Sequence, residues 1–181
     1  MLLEAERERL LRLARRSLEA RVRSEPEPDV ERGGVMDDLF GAFVTIHLRG
    51  ELRGCLGRIE GDVPLGEVVR HLAQAVSDSD PRFQPVAPHE LPELEIEISV
   101  LTPEREVSAV SDIEVGRHGL IVERGHRRGL LLPQVAVEHG WTREAFLEHT
   151  CLKAGLPGTA WRQGARLFMF EAEIFGERPG R

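Results

Sequence analysis

In this chain of 181 residues, the segment Leu52-Arg53-Gly54-Cys55-Leu56-Gly57-Arg58 holds the side chains best suited to chemistry. A cysteine thiolate is a nucleophile and a metal ligand, and a neighbouring guanidinium favours the charged form. Glycine weakens a strand interior, so Gly54 and Gly57 flanking Cys55 signal a bulge or a close approach of backbone. Their missing side chains also leave backbone N–H groups near the sulfur, where they can stabilise negative charge. Counting back through a tight turn at Arg49-Gly50 sets Cys55 opposite Val44 and Arg53 opposite Ile46. Arg53 and Cys55 then share one face and His47 points to the other, an assignment that a bulge at Gly54 would reverse. Cys55 is therefore the candidate nucleophile or acceptor, Arg53 the stabiliser of its thiolate, and Gly54, Gly57 and Arg58 the binding residues beside it. Without a readable base, metal cluster or cofactor motif nearby, the same segment also reads as a non-catalytic docking surface.

A second candidate is Asp80-Pro81-Arg82-Phe83. Arg82 can clamp a carboxylate or phosphate with its planar fork, and Asp80 belongs to the same binding group. An Asp-Pro turn anchored by Phe83 accounts equally well for the string. Asp78 and Asp80 have metal-carboxylate spacing but no histidine beside them, and the chain has no CxxC, HExxH or EF-hand loop. No metal or cofactor is therefore expected. Cys151, Trp141 and Trp161 read as core pieces, the two thiols as reduced, and the three arginines of residues 124–128 as a solvated hairpin tip.

Several elements must position these groups. Apolar spacing predicts a helix over residues 2–22 with a basic, solvated face, and an acidic Pro-punctuated connector over about 24–34. Residues 42–48 and 51–59 read as a hairpin, Pro64 as the first turn of a helix, and 77–88 as a loop. Residues 94–100 alternate cleanly as a half-buried strand. A hairpin joins 119–123 to 129–132 across 124–128, Thr142 caps a helix running to about Ala154, and 166–175 form the last strand. Hairpins outnumber regular strand–helix–strand units. The expected class is α+β, a largely antiparallel sheet flanked by helices, in one domain over 1–181 with a C-terminal tail at about 176–181.

The formal charge is −7 and the sequence pI about 5.6, which weighs against nucleic-acid binding. The acidity is local. Residues 86–115 carry eight acids and one arginine, and the rest of the chain balances. Arg49, Arg53, Arg58 and Arg82 are thereby free to hold a small anionic ligand near Cys55. No leader-like or membrane-spanning run is apparent, so a cytoplasmic protein with no membrane role is expected.

The hexapeptide Leu52 to Gly57 resembles the L-R-G-C-[IL]-G hallmark of the AMMECR family, whose prokaryotic members are called AmmeMemoRadiSam system protein A. Further strings resemble family segments in order over about residues 1–177: 41–45, 80–86, 98–103, 119–122, 129–136 and 141–156. Lys153, the chain's single lysine, falls inside the last. The resemblance implies an α+β fold of two subdomains with a cleft between them that holds the hallmark. It also implies a system shared with Memo-like and radical-SAM proteins, in which this chain is either a thiol-dependent catalyst or an adaptor.

Overall fold

The structure, a computed structural model, describes residues 2–177; most of the expected tail at 176–181 lies outside the described residues. The elements are α1 (Glu4–Arg23), β1 (Gly41–Leu48), β2 (Glu51–Arg58), α2 (Leu65–Ala75), β3 (Leu94–Leu101), β4 (Arg105–Glu106), β5 (His118–Arg124), β6 (Arg127–Leu131), α3 (Pro133–Glu138), α4 (Arg143–Lys153) and β7 (Arg166–Gly176). The class is α+β with antiparallel pairing. The chain divides into two compact units, one running to Leu101 and resuming at Glu173, the other Thr102–Ala172.

In the first unit the strands run in the order β2-β1-β3, and the end of β7 lies beside β3, where the Glu177 N–H donates to the Ile96 carbonyl. Leu10, Leu13, Ala14 and Leu18 of α1 recur at helical spacing, as do Leu65, Val68, Val69 and Leu72 of α2. These stripes pack on Ala42, Val44 and Ile46 of β1 and on Ile96 and Ile98 of β3, all essentially inaccessible. The opposite, arginine-rich face of α1 is ion-paired: Arg7 holds Glu173 at 2.7 Å and Arg21 holds Asp78 at 2.7 Å. The β1–β2 turn takes positive φ at both Arg49 (54°) and Gly50 (84°), the backbone twist that a two-residue hairpin requires. The loop after α2 is closed at its base by the Val86 N–H donating to the Ser77 carbonyl at 2.7 Å.

In the second unit the order is β4-β7-β5-β6. Phe146 and Leu147 of α4 pack with Leu120, Met169 and Ile113, while Cys151 and Ala154 meet Val122. Thr142 caps α4 through the Ala145 N–H, as its position predicts. One expectation is corrected. Arg127 and Arg128 belong to β6, so the hairpin tip shrinks to Gly125-His126, where Gly125 supplies φ +62°. The apolar run after β6 folds into α3, because Pro133 fits a first helical turn while it would interrupt a ladder. Along β7, Phe168, Met169 and Phe170 are all buried and Ile174 is exposed, so strict alternation fails where both faces are covered.

His118, on β5, is 2% exposed. Its Nδ1 accepts the Glu114 N–H at 3.0 Å, and the Arg105 guanidinium lies 3.3 Å from its Nε2. Burial above all, then the charges of Arg105 and Arg117, pull it below its ordinary value of 6.5, against Glu171 and Glu114. The unfolded chain therefore takes a proton near 6.5 that the folded chain resists. This contribution to stability is complete above about pH 6.5 and is lost as pH falls below it. Melting curves should show Tm dropping between pH 7 and 5, and His118→Asn, whose Oδ1 can accept the same N–H, should flatten that slope. An unchanged slope in the variant would refute the assignment.

Candidate functional site

Strands β1 and β2 pair Leu48 with Glu51 and His47 with Leu52, as a two-residue turn dictates, but Ile46 then faces Gly54 and Thr45 faces Cys55. Arg53 is the extra residue of a β-bulge. The expected pairing of Cys55 with Val44 is thus corrected by one position, and one position reverses the face. Ala42, Val44 and Ile46 look into the core, so Gly54 joins them, buried. Cys55 joins Thr45, on the same side as Phe43 and His47, and is half-buried.

The two glycines are filled spaces, not openings. A Cβ on Gly54 would stand 3.0 Å from the Val76 carbonyl oxygen at the end of α2, and one on Gly57 would stand 2.1 Å from the Phe43 ring. The backbone between them is held as well. The Cys55 N–H donates to Asp80 Oδ2 at 2.9 Å, so it is not free to stabilise a bound oxyanion.

Asp80 is 4% exposed. Its two oxygens also accept the Arg82 N–H at 3.1 Å and the Arg82 guanidinium at 3.0 and 2.7 Å. The guanidinium above all, together with the two backbone donors, outweighs burial and holds this carboxyl well below the usual range. Arg82 in turn is raised by Asp80 first, with Cys55 among the groups that add to it. Arg82 remains largely exposed and lies 5.4 Å over the Phe83 ring. At the sulfur, the Thr45 hydroxyl donates to Cys55 Sγ at 3.2 Å. Glu97 of β3 pairs with Thr45 from the other side, so Cys55, Thr45 and Glu97 form one row across three strands.

Arg53 is engaged elsewhere. Its fork grips Glu90 at 2.8 and 3.1 Å, and Nη1 and Nη2 donate to the carbonyls of Gln84 (3.0 Å) and Pro85 (3.4 Å). Arg58 pairs with Asp62, and Arg49 with Glu93. Asp78 turns to Arg21 and Ser79, away from Asp80. Among the described residues, no three His, Cys, Asp or Glu side chains gather as a metal site. Sequence spacing singled out Cys55, Asp80 and Arg82, and the fold joins them. It did not single out Thr45, which entered only within the family-like string 41–45, or Glu97, a residue of the β3 strand pattern.

The family model AMMECR1 matches residues 11–175. A protein of Thermofilum pendens is 45% identical over 187 residues, which span 93% of this chain and 88% of the relative. One of Methanopyrus kandleri is 44% identical, spanning 95% and 88%. The crystal structure of an uncharacterized protein from Pyrococcus horikoshii is similar at TM-score 0.82 and 40% identity, over 93% of this chain and 90% of that one.

Gly57→Ala pushes a methyl group into the Phe43 ring and should cost about 1–3 kcal/mol, with part recovered by a simultaneous Phe43→Leu; chemical denaturation reads both. Asp80→Asn keeps the shape but removes the charge that two backbone N–H groups and a guanidinium share. Its expected cost is about 1–3 kcal/mol at pH 7. Because the folded carboxyl is depressed, this advantage is present above about pH 4 and fades as pH falls, so variant and parent should converge in acid.

Proposed function

The chain belongs to the AMMECR1 family, and on that premise we propose that it is a cytoplasmic thiol-dependent protein in which Cys55 reacts with, or accepts, a group from a small anionic ligand. The observation that carries this reading is the bulge at Arg53, which turns the Cys55 sulfur out of the core to face a hydroxyl donor, Thr45, at 3.2 Å. The Thr45 hydroxyl is aimed at the sulfur, and Asp80 holds the Arg82 cation beside the Cys55 backbone N–H. Arg82 has its guanidinium largely exposed, so it can attract the anion. In the reaction envisaged, sulfur's electron pair forms a bond to an electrophilic carbon of the ligand, whose leaving group departs with the pair of the bond that breaks, while the thiol proton passes to solvent. Partners of the Memo-like and radical-SAM kinds fit this reading as suppliers or consumers of the transferred group.

One observation favours an adaptor instead. Arg53, Arg58 and Arg82 are each already paired with a carboxylate, so the segment's cations are partly neutralised within the protein. Pull-down of Memo-like and radical-SAM proteins separates the two readings: binding lost in Arg53→Ala but kept in Cys55→Ser supports the adaptor.

Native alkylation by iodoacetamide at neutral pH tests the thiol reading. Cys55 should react while the fully buried Cys151 stays protected. Arg82→Gln should slow that reaction about fivefold, the equivalent of roughly 1 kcal/mol of charge attraction. Cys55→Ser should leave Tm nearly unchanged. A Cys55 no more reactive than in the denatured chain, or a large loss of stability in Cys55→Ser, would replace chemistry with packing.

A further inference from the structure

The second unit carries a surface that the Cys55 site does not use. Trp141 lies flat between two imidazoles: His139 at 4.7 Å between centroids with planes 15° apart, and His149 at 3.9 Å and 2°. Both histidines are exposed. Leu152, 56% exposed, follows His149 by one turn of α4. Val137, near the end of α3 and two residues before His139, is 59% exposed. It reaches within 3.1 Å of where a Cβ on Gly116 would stand, next to the exposed Val115. The result is a run of apolar and aromatic groups from Val115 through Trp141 to Leu152. Singly exposed apolar residues are ordinary; a contiguous set centred on a tryptophan has the make-up of an interface.

The charges around it select the occupant. Six other described carboxylates in the second unit, at Glu104, Glu106, Asp112, Glu114, Glu123 and Glu171, each have an arginine or backbone N–H partner. Glu138, Glu144 and Glu148, exposed on α3 and α4 about the stack, make no ion pair or hydrogen bond among the described residues. α4 carries two cations of its own, Arg143, which donates to the Ile113 carbonyl, and Lys153 in the last turn, so the three carboxylates outnumber them by one. An acidic rim repels nucleic acid and anionic membrane and attracts a cationic chain.

We propose that this face docks a cationic amphipathic segment of a partner protein, a helix or strand whose apolar side chains cover Trp141, Val137 and Leu152 while its Lys or Arg residues meet Glu138, Glu144 and Glu148. The rim adds the selectivity and the apolar centre most of the affinity.

The test uses the full chain and two fluorescein-labelled synthetic amphipathic peptides, one of Leu and Lys, the other with Glu in place of Lys, followed by anisotropy. The Leu/Lys peptide should bind, more weakly as salt rises, and about tenfold less tightly to the Glu144→Lys/Glu148→Lys chain. The Leu/Glu peptide should gain affinity for that same variant, a swap that misfolding cannot produce. Leu152→Asp should weaken the Leu/Lys complex while leaving the melting curve in place. Equal binding of both peptides by the parent chain, no binding, or indifference to these substitutions would overturn the proposal. So would self-association abolished by Leu152→Asp, which would make a second copy the occupant.

Discussion

Arg53 is one residue more than the ladder between β2 and β1 can pair, and the position of every group in the candidate site follows from where that excess is placed. Side chains alternate faces along a strand, so one unpaired residue turns over everything beyond it. Without it, Cys55 would lie beneath the helices opposite Val44, as an inert apolar filler. With it, the residue facing α2 is Gly54, where an added Cβ would crowd the Val76 carbonyl at 3.0 Å. The thiol moves to the side that carries Thr45 and Glu97. The cysteine and the glycine before it are thus one device: the glycine makes the close approach possible, and the bulge exposes the sulfur.

A bulged strand at the end of the order β2-β1-β3 also has an edge to protect. The loop between α2 and β3 supplies that protection with charges. Asp80 accepts the outward-pointing Cys55 N–H, and Arg53 reaches back to Gln84, Pro85 and Glu90, so strand and loop hold each other at two points. Both contacts are charge-assisted and largely buried on the carboxylate side, where each is worth more than an exposed pair. The Asp-Pro-Arg string therefore works as a strap as well as a charge. It fixes a guanidinium on the carboxylate that accepts the Cys55 N–H and leaves Arg53 to hold Glu90.

The acidity of the whole chain becomes intelligible in the same terms. Glu90 and Glu93 answer Arg53 and Arg49; Glu104, Glu106 and Glu114 answer arginines of the second unit. An acidic run in the sequence is mostly a set of partners for arginines distant in the chain. Within the second unit, the described carboxylates that make no such pair, Glu138, Glu144 and Glu148, all lie on α3 and α4.

Much of the architecture was readable because its causes are local. The 3-and-4 spacing of Leu10, Leu13, Ala14 and Leu18, the alternation along residues 94–100, the Thr142 cap and the Arg49-Gly50 turn each express a preference a short peptide already has. The AMMECR resemblance was readable too, as were Cys55, Asp80 and Arg82 as residues of interest. Only the tertiary structure decided that Arg53 bulges out, that Cys55 shares a face with Thr45, and that Arg53 grips Glu90 while Arg82 holds Asp80. Apart from the Arg82–Asp80 pair, two positions apart, those outcomes depend on contacts between residues 10 to 37 positions apart. A strand pattern specifies which residues alternate; where an extra one goes is settled by whether helix α2 has room for a side chain or only for a glycine.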